Sequence, residues 1–173
     1  WFDVKVAGAL DSGLALGKGT LDVLAADLVG KTRLAAERMS DASVGLSPLT
    51  LERTREQIGA SEASLVTASG QVVLTAGGAA AAGPPERPTA ALLRQAKQLG
   101  TASQIEGLDD ESLAPGASGP RVRALARVPR SAVVLAAGEA RFLMVLQPIS
   151  RSLAMNALAV QAVYTEYQQR ALA

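Results

Sequence analysis

The chain contains 173 residues, 49% of them hydrophobic, which is enough for one folded domain with a buried core. The 17 basic and 16 acidic side chains give a formal net charge of +1, so no overall field favours nucleic acid or acidic lipid as a partner. Because histidine and cysteine are absent, the commonest general base, the commonest transition-metal ligand and thiolate metal ligands are missing. We therefore expect no catalytic site, no metal site and no cofactor.

The first forty residues predict one long helix, Trp1 to Ser40, with an apolar stripe at alternating spacings of four and three. Such a helix would run roughly 60 Å, longer than a compact domain of this size needs for its own core. A stripe this narrow suits a partner helix, so we expect a homodimer packed along it. The stripe positions are Val6, Leu10, Leu14, Gly17, Leu21, Leu24 and Leu28, and its five leucines form the expected dimer seam.

Two short helices are predicted next, each between an N-cap hydroxyl and a terminating glycine. The second of them should bury Leu92, Leu93, Ala96 and Leu99. The two helices are Pro48–Ile58, between Ser47 and Gly59, and Ala90–Leu99, between Thr89 and Gly100.

Period-two patterns predict five antiparallel strands. The first two form a hairpin around Ser69 and Gly70, at residues 63–67 and 71–75. The other three form a meander at residues 121–128, 132–137 and 140–147. Both faces of the last strand carry apolar residues, so we expect the centre of the sheet to be covered on both sides.

A final helix is predicted from Ser150 to the end of the chain, with a second narrow seam that includes Leu153, Val160, Tyr164 and Tyr167. The predicted organisation is α+β, in three segments. Residues 1–40 are a signalling helix, residues 41–149 are a core with a five-stranded antiparallel sheet, and residues 150–173 are a C-terminal helix.

Long helices at both ends of such a core suit an extracytoplasmic sensor whose termini continue into membrane spans. The opening pair Trp1-Phe2 either marks the point where a helix leaves a bilayer or is simply where this piece of chain begins.

Four stretches resemble the segment after the first membrane span of NtrY-like sensor histidine kinases, and together with their surroundings they extend over nearly the whole chain. The stretches are WFDVKV with ALDSGL behind it (residues 1–6 and 9–14), LERTREQ with GASE (51–57 and 59–62), RFLMVLQP (141–148) and residues 156–169.

This resemblance implies a PAS-like or Cache-like periplasmic domain of a bacterial inner-membrane protein that belongs to a two-component system. The phosphoacceptor and ATP-binding parts would lie in the cytoplasm, and the cytoplasmic partner would be a response regulator of the NtrX type in nitrogen or redox regulation. A chain without histidine cannot hold the phosphoacceptor, so this fragment is expected to sense or transmit and not to catalyse.

Four arginines form the candidate ligand site: Arg121, Arg123, Arg127 and Arg141. They either bind a carboxylate or nitrogen oxyanion of a small-molecule ligand or belong to a solvated sheet face. Ligand binding is expected to shift the first and last helices relative to the membrane. The alternative is a module that binds no ligand and only dimerises the receptor or docks a periplasmic protein.

Overall fold

The computed structural model describes residues 2–39, 47–78, 86–108, 119–129 and 140–156, with residues 158, 159 and 170, and the side chains of the first helix from residue 21 onward. Three helices and five strands have full bounds in this part of the chain. The helices are α1 (Phe2–Met39), α2 (Pro48–Ile58) and α3 (Ala90–Leu99). The strands are β1 (Glu62–Thr67), β2 (Val72–Gly77), β3 (Thr101–Glu106), β4 (Arg121–Arg127) and β5 (Arg141–Pro148).

The described residues belong to two compact units. One unit contains α1 up to Leu24, the described residues of the segment Gly107–Pro120, and the chain from Ile149 onward. The other contains α1 from Ala25, both short helices and all five strands. The predicted division at residues 40 and 149 stays a prediction.

The two short helices have the predicted bounds and caps. The Ser47 hydroxyl accepts a hydrogen bond from the Thr50 amide, and the Thr89 hydroxyl accepts one from the Leu92 amide. Gly59 and Gly100, with φ of 79° and 83°, end the helices in the left-handed conformation that glycine adopts without strain. Local hydrogen-bonding chemistry therefore sets these boundaries.

The five strands form one antiparallel sheet in the order β2-β1-β5-β4-β3. The predicted hairpin is β1 and β2. The predicted meander is wrong, because β4 pairs directly with β5 and no strand lies between them. The other neighbour of β5 is β1, and the other neighbour of β4 is β3. The remaining strand of the sheet is β3, and no strand was predicted for that segment. The predicted strand at residues 132–137 lies outside the described residues.

The centre of the sheet is buried on both faces, as predicted, whereas β2 and β3 at its edges are largely half-buried or exposed. On one face, which we call the α3 face, Val66, Leu125, Phe142 and Met144 pack in one cluster with Leu92, Leu93 and Ala96 of α3. On the opposite face Leu143 and Val145 of β5 are equally buried. The prediction that Leu99 is buried is wrong. It is 70% exposed, because it is the last residue of α3 and lies outside this cluster.

The long first helix is present, and its described buried stripe differs from the predicted one. Leu21 and Leu28 are buried, whereas Leu24 is exposed together with Val23 and Leu34. The side chains of Leu10, Leu14, Val160, Tyr164 and Tyr167 lie outside the described residues, and Leu153 is half-buried at the start of the last helix, which begins at Arg151. Among the residues that the structure describes, no helix is long and apolar enough to cross a bilayer.

Candidate functional site

The site is built around Arg123, which is 3% exposed in the middle of β4. The two-residue period of a strand puts its side chain on the same face as Leu125, which is the α3 face. A guanidinium is always charged, and a buried charge is tolerated only when it is paired and hydrogen-bonded. The partners of Arg123 therefore decide what this part of the sheet can do.

Cross-strand register supplies the first partner, Glu106 of β3. Glu106 lies directly opposite Arg121. Arg123 is two residues further along β4, a diagonal position that long side chains can reach. Its Oε1 accepts from Nε of Arg123 at 2.6 Å, and its Oε2 accepts from Nε of Arg121 at 3.2 Å and from Nη2 of Arg123 at 3.3 Å. Nε2 of Gln104 donates to Oε1 as well, at 2.7 Å.

Four donors thus meet the two oxygens of Glu106, which is close to the full capacity of a carboxylate. Burial alone would raise the pKa of Glu106. Hydrogen bonds from Arg123 and Gln104 and the charges of Arg123 and Arg121 outweigh burial, so this pKa lies below its usual value. Glu106 is therefore a fixed, ionised anchor for both arginines.

The second carboxylate partner, Glu86, comes from the segment just before α3. Its Oε2 accepts a hydrogen bond from Nη2 of Arg123 at 2.5 Å and lies 3.5 Å from Nη2 of Arg121. Burial alone would lower the pKa of Arg123, but Glu106 and then Glu86 outweigh it, so this pKa lies above its usual value. We call Glu86, Glu106, Arg121 and Arg123 the four-charge cluster; its formal charges sum to zero.

One edge of the Arg123 guanidinium is poorly satisfied. Within the described part of the chain, Nη1 donates only to Sδ of Met144, at 3.3 Å, and a thioether sulfur is a weak acceptor. Nη1 and Nη2 together form the fork that binds both oxygens of a carboxylate. This edge of Arg123 thus has the geometry of an oxyanion site, and the described residues place one strong acceptor on it, Oε2 of Glu86.

The other two predicted arginines lie elsewhere. Arg127 is four residues further along β4, about 13 Å from Arg123, and its Nη2 donates to the carbonyl of Lys97 near the end of α3. Its guanidinium also lies 5.9 Å from the ring centroid of Phe142.

Arg141 alternates with Phe142 and so lies on the opposite face of the sheet. The structure therefore brings together Arg121 and Arg123. Of the two alternatives for these arginines, the solvated face does not apply to Arg123, because it is buried.

The two glutamates of the cluster were not predicted as site residues. Gln104 and Glu106 lie on one face of β3, so the position of Glu106 in the site depends on a strand that was not predicted. Glu86 has no local signal, because its contact joins residues 37 positions apart. In the part of the chain that the structure describes, no group of three or more acidic side chains is placed to hold a metal ion.

No family model matches the sequence, and no curated protein matches it. Among solved structures, the fold is similar to the ligand-binding domain of the Campylobacter jejuni chemoreceptor Tlp3, solved in complex with L-valine, with a TM-score of 0.53 and 13% sequence identity. The similarity covers 88% of this chain, and the chain spans 63% of that domain's length. At this identity the likeness shows the fold alone, and it confirms the predicted α+β class of PAS-like or Cache-like type.

Proposed function

We propose that this chain is the extracytoplasmic sensing domain of a membrane receptor and that it binds a small carboxylate at the four-charge cluster. The observation that carries the proposal is the buried Arg123, whose Nη1 donates only to the Met144 sulfur within the described residues. A buried cation with a poorly satisfied fork gains most from an acceptor with two oxygens. The likeness to a chemoreceptor ligand-binding domain supports a sensing function for this fold.

The proposed parent receptor is an NtrY-like histidine kinase of the bacterial inner membrane, with this domain in the periplasm. Support for this finer assignment comes from the four sequence stretches that resemble that family. The NtrX-type response regulator, the role in nitrogen or redox regulation, and the phosphotransfer activity of the whole protein belong to the same proposal. The domain itself would sense and transmit, without catalysis.

Transmission to the membrane is proposed to run through the helices at the two ends of the chain. α1 extends over 38 residues, more than the sheet needs for a covering helix, and its C-terminal half belongs to the same compact unit as the site. A small shift or rotation of α1 is the ordinary way in which a packed helix carries a signal. The second proposed path is the helix that begins at Arg151.

An alternative proposal is a dimerisation or docking module that binds no ligand. The observation in its favour is that Val23, Leu24 and Leu34 are large apolar residues exposed on α1. Leu21 and Leu28 are buried within the chain, so a partner helix would contact a different stripe from the predicted one. Internal neutralisation of the four-charge cluster also agrees with a purely structural role.

Isothermal titration calorimetry with acetate, pyruvate, L-valine and nitrate separates the two proposals. We expect at least one of these ligands to bind with a millimolar or tighter dissociation constant. Arg123→Lys should weaken binding about tenfold or more, because an ammonium cannot replace the fork. Arg127→Lys makes the same change on the same strand, away from the cluster, and should bind like the wild type.

Circular dichroism of both lysine variants checks that they are folded. Equal heats for wild type and Arg123→Lys, or no binding of any of the four ligands, would refute carboxylate sensing at this site and favour the docking module.

A further inference from the structure

The two glutamates of the four-charge cluster hold the arginines in different ways. Glu106 is 17% exposed on its side chain and takes four donors on its two oxygens. Glu86 is 63% exposed, and its contacts with both arginines run through Oε2 alone. Glu106 is thus tightly held within the sheet, whereas Glu86 reaches the cluster from solvent with one oxygen.

The contact of Glu86 is the one that a ligand carboxylate would make. Its Oε2 accepts a hydrogen bond from Nη2 of Arg123, which is half of the fork described above. Among the described residues, Nη1 donates only to the Met144 sulfur. A free carboxylate can meet Nη1 and Nη2 together, because it is not attached to the backbone. It would therefore make one more strong hydrogen bond than Glu86 makes.

Charge sets the class of ligand that can exchange with Glu86. The cluster has two positive and two negative side chains, so its formal charge is zero. Replacing the Glu86 carboxylate with one ligand carboxylate keeps the formal charge at zero. A neutral ligand would leave Arg123 with Glu106 as its one carboxylate partner among the described residues. Breaking a buried ion pair without replacement is strongly unfavourable.

We infer that Glu86 is an internal placeholder, which occupies the carboxylate position on Arg123 until a monoanionic carboxylate displaces it. The inference rests on the proposed function, since it assigns a competitor to the same site. Glu86 is followed by only Arg87, Pro88 and the N-cap Thr89 before α3 begins, so the placeholder lies close in sequence to the start of that helix.

A placeholder lowers the apparent affinity of the ligand by the fraction of time that the site is free. If Glu86 occupies the fork about nine-tenths of the time, its removal tightens binding about tenfold. This predicts a gain of affinity from the loss of an acidic residue. A residue that itself contacts the ligand would give the opposite result.

The test is calorimetric titration of acetate into wild type, Glu86→Gln and Glu56→Gln at constant ionic strength. Glu56 is exposed on α2 of the same compact unit, so its variant makes the same change of charge away from the cluster. We expect Glu86→Gln to bind acetate about tenfold more tightly than wild type, and Glu56→Gln to bind like wild type. Glu86→Asp, whose shorter side chain reaches Arg123 less well, should lie between wild type and Glu86→Gln.

The other outcomes overturn the inference in distinguishable ways. If wild type binds acetate through Arg123 and Glu86→Gln binds equally or more weakly, the placeholder is wrong and the proposed function stands. If Glu56→Gln tightens binding as much as Glu86→Gln, the gain comes from net charge and the placeholder is wrong. If neither wild type nor Glu86→Gln binds acetate, and pyruvate, L-valine and nitrate also fail, both the placeholder and the proposed function fail.

Discussion

Glu106→Gln is the substitution that tests the charge arrangement of the site most informatively. The variant keeps the size of the side chain and removes its charge, so Arg123 and Arg121 lose the carboxylate that accepts hydrogen bonds from both of them. Removing one partner of a buried ion pair costs about 3–5 kcal/mol. Glu86 still pairs with Arg123, so we expect a smaller loss than this range, a fall of about 2–3 kcal/mol in the free energy of unfolding.

Urea denaturation at pH 7 measures this loss, and for a chain of this length it corresponds to a fall in Tm of about 4–12 °C. Glu56→Gln is the matched control. Because Glu56 is exposed on α2, we expect its variant to unfold within about 0.5 kcal/mol of wild type.

The pH dependence of this loss separates charge from shape. The pKa of Glu106 is lower in the folded chain than its ordinary value, so its stabilising effect is complete above about pH 4.3 and disappears as the pH falls through the folded value. Glutamine does not titrate in this range. The difference in unfolding free energy between wild type and Glu106→Gln should therefore shrink below pH 4. A difference that is the same at pH 7 and below pH 4, or one under about 0.5 kcal/mol at pH 7, would refute the reasoning.

Three further predictions concern the fold, and thermal or urea unfolding measures each of them. Leu93→Ala should lower the free energy of unfolding by about 2–4 kcal/mol, because Leu93 is buried against the sheet. Leu99→Ala in the same helix should lower it by under about 0.5 kcal/mol, and equal losses would contradict the assigned core. Thr89→Ala removes the N-cap of α3 and should cost about 1 kcal/mol, with Thr89→Ser restoring most of it; a neutral Thr89→Ala would show that the cap contributes nothing. Gly77→Ala should lower the free energy of unfolding by about 2 kcal/mol or more, because its Cβ would lie 2.5 Å from the Ser61 carbonyl oxygen. Gly100→Ala should lower it by only about 1 kcal/mol, because a Cβ there meets no atom within 4 Å at a similar φ. The reverse order would refute the close approach at Gly77.

Local signals predicted the elements whose ends depend on neighbouring residues. Ser47 and Thr89 as N-caps, and Gly59 and Gly100 as terminators, act within four residues of the backbone groups they satisfy. The hairpin of β1 and β2 was equally accessible, because a glycine turn separates two β-prone runs.

The strand β3 was not predicted because its sequence has no local pattern typical of a strand. Thr101–Glu106 reads TASQIE, in which only Ala102 and Ile105 are apolar, so it has no alternation of apolar and polar residues. Its strand conformation follows from pairing with β4, which supplies a partner for each of its six residues. The meander was wrong for the same reason, since strand order is set by long-range pairing and not by the sequence of the strands themselves.

Of the four residues in the four-charge cluster, the sequence pattern predicted the two arginines and neither glutamate. Three arginines on one face of β4 were read from the period-two pattern, but that pattern does not say whether the face is solvated. Burial of Arg123 depends on α3 covering this face and on Glu106 and Glu86 arriving from distant segments. Arg127, on the same face, is instead exposed beside the end of α3.

The central claim is that the Nη1 and Nη2 edge of Arg123 receives a ligand carboxylate. Nuclear magnetic resonance of the arginine side-chain N–H groups during a titration with acetate, against chloride at the same ionic strength, measures this edge directly. The account predicts a saturable shift of the Arg123 signals, with those of Arg127 unchanged. Arg123 signals that stay in place, or that shift in parallel with Arg127 without saturation, would contradict it.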